Sequence, residues 1–84
     1  MALSVFARVV EQGGFTAAAK KLGLSPSAVT KIIARLEDEL DTQLFTRTTR
    51  RLRTTDDGQG FYERCVQILA ELETWRADHE AASG

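Results

Sequence analysis

The chain has 84 residues, of which 43% are hydrophobic and 27% charged, and its formal net charge is −1. These values are typical of one small globular domain, which hides only roughly 60–65% of the surface that its unfolded chain exposes. No apolar run approaches the roughly 20 residues that cross a bilayer, and the N-terminus lacks the regions of a secretory signal. We therefore expect a cytoplasmic protein, and the single Cys65 excludes an internal disulfide and a cysteine-based metal site.

The charges are distributed unevenly along the chain. Residues 16–53 carry eight basic and four acidic side chains, whereas residues 54–84 carry two basic and seven acidic ones. Four arginines crowd into "RTTRRLR", residues 47–53, where they repel one another. A basic half joined to an acidic half indicates that only the first half meets a polyanion.

The first two predicted helices are short. The apolar spacing in "LSVFARVVEQ" indicates a helix that ends at the flexible pair Gly13-Gly14. The stretch "FTAAAKKLG" predicts a second helix with Thr16 as its N-cap and Gly23 as its left-handed end.

A third helix is predicted over residues 26–40. Ser25 followed by Pro26 is a strong helix start, since the hydroxyl caps free amides and proline suits the first helical position. An apolar stripe with 4-3-4 spacing then consists of Val29, Ile33, Leu36 and Leu40. Only a three-residue turn containing Gly23 separates this helix from the second one, which matches the helix-turn-helix signature.

The chain after Asp41 changes in character. The stretch "LFTRTTRRLRTT" has the β-branched content of two short strands, with a turn near residues 49–51. Thr55 then caps a last helix whose first turn holds Asp56 and Asp57, where the helix dipole favours acids. The predicted fold is mainly α: a winged helix-turn-helix of three helices and a β-hairpin wing, residues 1–55, followed by a long helix, residues 56–84.

The last helix has the pattern of a dimerisation helix. A 4-3-4-3 seam with coiled-coil spacing consists of Phe61, Cys65, Ile68, Leu72 and Trp75. A shorter apolar row beside it consists of Tyr62, Val66 and Leu69. One small body cannot cover so much apolar surface, so we expect a homodimer through this seam, in which Cys65 acts as a small apolar side chain.

The polar side of the third helix is the predicted reader of DNA. With the apolar stripe turned inward, the outer side presents Ser27, Thr30 and Lys31, with Arg35 at its flank. Short polar residues let a helix lie deep in the major groove while Thr30 and Lys31 reach base edges. Arg35 also lies one turn before Glu39, so a plain surface ion pair is an alternative for it.

Other residues are predicted to hold the DNA backbone. Ser25, Thr16 and the N-terminal amides of the second and third helices suit phosphate oxygens. The wing arginines are predicted to meet phosphates or the adjacent minor groove; they are Arg47, Arg50, Arg51 and Arg53. Arg47 comes shortly after the acidic residues Glu37, Glu39 and Asp41, so an internal ion pair fits as well as a phosphate contact.

Several blocks in order resemble the winged helix-turn-helix of LysR-type transcriptional regulators. They are "FTAAAKKL", "SPSAVT", "LEDEL", "LFTRTTR" and "TDDG", and together they span nearly the whole chain. The resemblance implies base-reading positions at Pro26, Ser27, Thr30 and Lys31 and basic wing positions at Arg47 and Arg50. Asp41 stands where the family usually has glycine, which implies a left-handed backbone there. The resemblance also implies that the long helix pairs two subunits and leads to an effector-binding domain. We therefore expect a piece of a longer regulator, whose whole form can be a tetramer.

The function predicted from the sequence is specific binding of double-stranded DNA at a dyad operator by a bacterial transcriptional regulator. No catalytic constellation, cofactor site or metal site is predicted. Two alternatives stay open: a non-specific architectural DNA binder, and a winged helix that binds an acidic protein partner. Competition by unrelated DNA distinguishes the first alternative, and failure to bind any DNA at low salt favours the second.

Overall fold

The computed structural model describes residues 2–47 and 52–83. In chain order the elements are α1 (Ala2–Gln12), α2 (Phe15–Leu22), α3 (Pro26–Leu40), β1 (Phe45–Arg47), β2 (Leu52–Thr54) and α4 (Asp56–Ser83). The predicted fold class is confirmed: three short helices, a two-stranded antiparallel hairpin and a long last helix.

The ends of α3 follow the predicted local signals. The Ser25 hydroxyl accepts a hydrogen bond from the Ala28 amide at 3.2 Å, and Pro26 occupies the first helical position. Asp41 ends the helix with φ 50° and ψ 43°, the left-handed conformation expected there. Its amide donates to the carbonyls of Asp38 and Glu37, and the Thr42 amide also donates to the Glu37 carbonyl at 3.1 Å, so these acceptors of the last turn are satisfied.

The predicted N-cap of α2 is wrong. The helix begins at Phe15, and its N-cap is the extended Gly14, which has no side chain with which to cap. Thr16 therefore lies inside the first turn. The ring of Phe15 packs against Phe45, with ring centroids 5.9 Å apart, and the helix starts two residues earlier than a cap at Thr16 requires. Gly23 does end the helix in the left-handed conformation, as expected.

The core forms where α1, α2 and α3 meet the hairpin and the start of α4. Phe6 is fully buried at its centre, with its ring 5.3 Å from that of Phe45 and 5.2 Å from that of Phe61. The other fully buried large side chains are Ile33, Leu44, Val9, Val29 and Cys65. Every element thus contributes a residue to the core or packs directly against it, β2 through Leu52.

Leu40 departs from the predicted apolar stripe of α3. Val29, Ile33 and Leu36 are buried, but Leu40 is 40% exposed.

The wing is a hairpin with one buried and one exposed side. Phe45 pairs with Thr54 and is buried, whereas the next pair, Thr46 and Arg53, is exposed. Successive residues of a strand point to opposite sides, so this alternation places Arg53 on the outer side of the wing. The predicted turn at residues 49–51 lies outside the described residues.

The long helix α4 starts within the body and then leaves it. The Thr55 hydroxyl accepts from the Gly58 amide at 2.9 Å, which confirms the predicted cap, and donates to the Gln43 carbonyl at 2.6 Å. At 1.5 Å per residue its 28 residues span about 42 Å. The division of the chain at residue 55 stays a prediction, but the first turns of α4 pack into the same core as α1 to α3.

The predicted dimerisation seam of α4 is wrong at Cys65. This side chain has no exposed surface in a single chain, because it lies against the core of its own body. Phe61 is half-buried and packs on Phe6. Further along, Ile68, Leu72 and Trp75 are 44%, 39% and 58% exposed. The first residues of the seam are therefore buried inside the domain, and the last ones are exposed to solvent.

Within residues 2–47 and 52–83, none of the helices combines the length and the apolar character needed to pass through a membrane.

Candidate nucleic-acid interface

The outer side of α3 divides into two halves of different charge. Ser27, Lys31 and Arg35 lie exposed on the first part of the helix, which has no acidic residue. The acidic residues follow in the last turns and at the end, beginning with Glu37 and finishing with Asp41. A polyanion is therefore attracted to the N-terminal half of α3 and repelled by the C-terminal end. The N-terminal amides add their partial positive charge to the same half.

The hydroxyl groups at the start of α3 are already engaged in part. Ser25 caps the helix, and its oxygen lies 3.3 Å from that of Ser27. Thr30, which is half-buried at the edge of the outer side, donates its hydroxyl hydrogen to the Pro26 carbonyl at 2.9 Å. The Thr30 oxygen can still accept a hydrogen bond, and its methyl group remains available for an apolar contact.

Arg35 forms the surface pair that the sequence left open. Its Nε lies 3.5 Å from Glu39 Oε1, and the two side chains are 84% and 64% exposed. An ion pair so exposed is weak and readily exchanged. Arg35 thus remains able to turn toward a phosphate.

The root of the wing lies at the edge of α3 that holds Thr30. Glu37 follows Thr30 by seven residues, which is close to two full helical turns, so both lie along one edge. The Glu37 carboxylate accepts hydrogen bonds from the amides of Leu44 and Phe45 at 2.8 Å and 3.3 Å. The hairpin therefore leaves the body beside the outer side of α3, which brings two of the predicted DNA-contacting surfaces together.

The predicted wing arginines are described to different extents. Arg53 lies exposed on β2. The backbone of Arg47 belongs to β1, opposite Leu52. Arg50 and Arg51 lie outside the described residues. Thr16 and Pro26 are exposed near the starts of α2 and α3, so they stay predicted contacts.

Glu37 was not among the residues predicted to matter for binding. Its sequence signal is faint: an acid near the end of a helix, followed seven residues later by two apolar residues that open a strand. The amides of such a buried strand opening need acceptors, which is the only hint the sequence offers.

The surroundings of two ionisable groups of α4, Tyr62 and Cys65, raise their pKa values. Partial burial, assisted by the nearby Glu11 carboxylate, raises the pKa of Tyr62, whose hydroxyl donates to Glu11 Oε2 at 3.2 Å. Burial raises the pKa of the Cys65 thiol. A neutral, buried thiol is a poor nucleophile. In the described ranges, no three His, Cys, Asp or Glu side chains come together as a metal site would require.

The fold is similar to those of domains whose structures were solved in complex with DNA. The crystal structure of the BenM_DBD/benA site 1 DNA complex superposes with a TM-score of 0.94 at 31% identity, covering 99% of this chain and 93% of that one. The CbnR_DBD–DNA complex gives a TM-score of 0.85 at 34% identity, covering 98% of this chain and 93% of that one.

The amino-acid sequence is similar to those of bacterial regulators. The HTH-type transcriptional activator AaeR of Escherichia coli (strain K12) is 44% identical over 71 residues, which are 84% of this chain and 23% of that protein. The chain thus spans about 23% of the length of the first curated relatives it matches. The family model described as "Bacterial regulatory helix-turn-helix protein, lysR family" matches residues 1–59. The chain belongs to the lysR family of bacterial regulatory helix-turn-helix proteins, and its fold is that of the family's DNA-binding domain.

Proposed function

We propose that this chain binds a specific double-stranded DNA site as the DNA-reading part of a bacterial transcriptional regulator, acting in the cytoplasm. The observation that carries the proposal is the acid-free, exposed first half of α3, which lies beside the root of the basic wing. A recognition helix in the major groove with a wing on the neighbouring backbone needs these two surfaces on one side of the domain. The complexes of the BenM and CbnR domains with DNA support the same assignment.

The side chains at the start of α3 would each make a different kind of contact with the bases. Lys31 can donate to guanine O6 and N7, and Ser27 can donate or accept. Because Thr30 gives its hydrogen to the Pro26 carbonyl, it can only accept from a base, such as the amino group of cytosine or adenine, or place its methyl on thymine. Pro26 has no amide hydrogen and can offer only its ring.

The backbone contacts come from the start of α2 and from the wing. The hydroxyl of Thr16, which lies exposed in the first turn of α2, would donate to a phosphate oxygen. The predicted arginines of the wing, with Arg53 on its outer side, would meet phosphates or enter the minor groove.

The exposed part of α4 supports a homodimer. Leu72 and Leu69 line a groove of about 420 Å³ between α1 and α4, and charged residues of both helices stand along it. Beyond the groove, Ile68 and Trp75 leave large apolar surfaces exposed. A second α4 lying along this surface would bury what the body cannot, and the two recognition helices would reach major grooves about one turn apart or a multiple of it.

Selection from a random duplex library at moderate salt tests this function. We expect enrichment of a dyad-symmetric site that the protein binds at least about a thousandfold more tightly than unrelated DNA. Binding without enrichment would instead indicate a non-specific architectural protein. No binding even at low salt, together with capture of an acidic peptide, would indicate a protein-interaction module.

A further inference from the structure

The start of the wing is fixed from two directions at the peptide groups of Leu44 and Phe45. From one side, the Glu37 carboxylate of α3 accepts from both amides, at 2.8 Å and 3.3 Å. From the other side, the Thr55 amide at the start of α4 donates to the Leu44 carbonyl at 3.0 Å. One peptide segment thus joins the recognition helix, the wing and the long helix.

The contact of Glu37 with the wing connects a side chain of α3 to the backbone of the hairpin. The side chain comes from the helix that faces DNA, and both amides come from the strand that begins the wing. Burial of Leu44 and Phe45, which are 1% and 4% exposed, anchors the strand in the core. Apolar contacts are non-directional, however, so they leave the angle of the hairpin weakly defined. Two hydrogen bonds to one carboxylate oxygen define that angle relative to α3.

The cost of this arrangement is electrostatic. Glu37 lies about two helical turns beyond Thr30 on the same edge of α3, so its negative charge stands on the side of the domain that is proposed to meet phosphates. On charge alone, Glu37 should weaken DNA binding. A neutral residue at this position would avoid the repulsion, so the Glu37 carboxylate must contribute to binding in another way if binding is strong.

We propose that Glu37 is a positioning residue for DNA binding, which holds the wing at the angle where its arginines reach the backbone while α3 occupies the groove. The inference rests on the proposed function, and it predicts that removal of this negative charge weakens binding. Simple charge repulsion predicts the opposite sign. The neighbouring Asp38 provides the matched control, because it is an exposed acid on the same helix turn.

The first test compares binding of Glu37→Ala, Glu37→Gln and Asp38→Ala proteins to the selected duplex over a range of salt concentrations. Asp38→Ala should bind as well as or better than the parent protein, with the same salt slope. Glu37→Ala should bind about tenfold more weakly. The slope of log K against log salt should also become shallower by about one or more, since each lost phosphate contact accounts for roughly 0.9. Glu37→Gln keeps an oxygen that accepts the two amides and should recover most of the slope.

The second test needs no DNA, so it separates this inference from the proposed function. Residual dipolar couplings of the amides in β1 and β2 should fit the same alignment as those of α3 in the parent and in Glu37→Gln. In Glu37→Ala they should not. Should Glu37→Ala fail to fold, Glu37→Asp takes its place: it keeps the charge but withdraws the carboxylate by one methylene, and it should reduce the slope and misalign the hairpin.

An unchanged salt slope and unchanged hairpin alignment in a folded Glu37→Ala protein would overturn the proposal. A gain in affinity equal to that of Asp38→Ala would do the same, because Glu37 would then act only as a repulsive surface charge.

Discussion

Gly58 illustrates how one position without a side chain shapes the contact between α4 and the wing. A methyl group at this position would overlap the carbonyl oxygen of Leu44, which already accepts from the Thr55 amide. The glycine therefore lets the start of α4 lie directly on the backbone of the wing root, although glycine in a helix costs about 1 kcal/mol relative to alanine.

The variant Gly58→Ala should lower the free energy of unfolding by about 1–3 kcal/mol, since the overlap with backbone cannot be relieved by a rotamer change. Gly60→Ala is the matched control, because a methyl group there meets nothing within 4 Å and alanine favours the helix. Urea unfolding of both variants measures the difference. Equal stabilisation of the two variants would contradict the close approach.

Tyr62 links α4 to α1 through a hydrogen bond whose strength can be read from its titration. The chain has a single tyrosine, so its phenolate absorbance reports one group. Burial, then Glu11, raises the pKa of Tyr62 above its ordinary value of 10.0, while Arg8 lowers it. Glu11→Gln should therefore lower the Tyr62 pKa part of the way, and Arg8→Ala should raise it.

The same shift has a consequence for stability. Because the folded state holds the phenolic proton more tightly than the unfolded state, the stabilisation is complete below the ordinary pKa and is lost as the pH rises through the raised value. Ultraviolet titration and urea unfolding above pH 10 should therefore change together in the Glu11→Gln protein. A Tyr62 pKa that is unchanged in both the Glu11→Gln and the Arg8→Ala proteins would contradict the contact between Tyr62 and Glu11.

Several single residues could be predicted from the sequence because their roles depend on near neighbours. Ser25 and Thr55 cap helices whose amides lie three residues away, and Asp41 ends a helix in the conformation expected of it. Thr16 was misassigned because the true start of α2 depends on the packing of Phe15 against Phe45, thirty positions away in the sequence. Glu37 was missed for the same reason, since its partners belong to another element.

At the scale of elements, α3 and the wing should contribute to binding in different ways. Lys31 lies on the side proposed to read bases and Arg53 on the outer side of the hairpin. Lys31→Ala should cost about 1–3 kcal/mol on the selected site and little on random DNA. Arg53→Ala should weaken both by the same factor and reduce the salt slope by about one.

Binding isotherms on the selected duplex and on a scrambled one, each at several salt concentrations, separate the two contributions. Lys20→Ala is a suitable control, being an exposed cation in the last turn of α2. Equal losses on both duplexes for Lys31→Ala would remove this residue from base reading and leave it as a backbone contact.

At the scale of the whole molecule, the apolar surface of α4 exceeds what a single body covers. The structure is 50 Å long and 26 Å by 20 Å across. Among the residues that the structure describes, four of the six exposed large hydrophobic ones belong to α4. They are Val66, Ile68, Leu72 and Trp75. Ile68, Leu72 and Trp75 follow one another at spacings of four and three residues and so share one side of the helix, and exposed apolar residues that lie together are typical of an interaction surface.

Ile68→Glu and Trp75→Glu should each shift the protein from dimer to monomer, because a charge would have to be buried between the two copies of α4. Sedimentation over a range of concentrations measures the change, and Gln67→Glu, an exposed position on the same helix, is the control for added charge. A parent protein that sediments as a monomer at every concentration would refute the dimer and leave the DNA proposal intact.

The sequence by itself determined the order of the elements, the helix caps at Ser25 and Thr55, and the polar side of α3. These features depend on periodicity and on residues a few positions apart, which a linear pattern contains. Only the tertiary structure decided that Cys65 faces its own core, that Leu40 is left uncovered and that Glu37 holds the wing. Each of these depends on which distant elements come together in space, and a helical repeat identifies an apolar side without saying what will cover it.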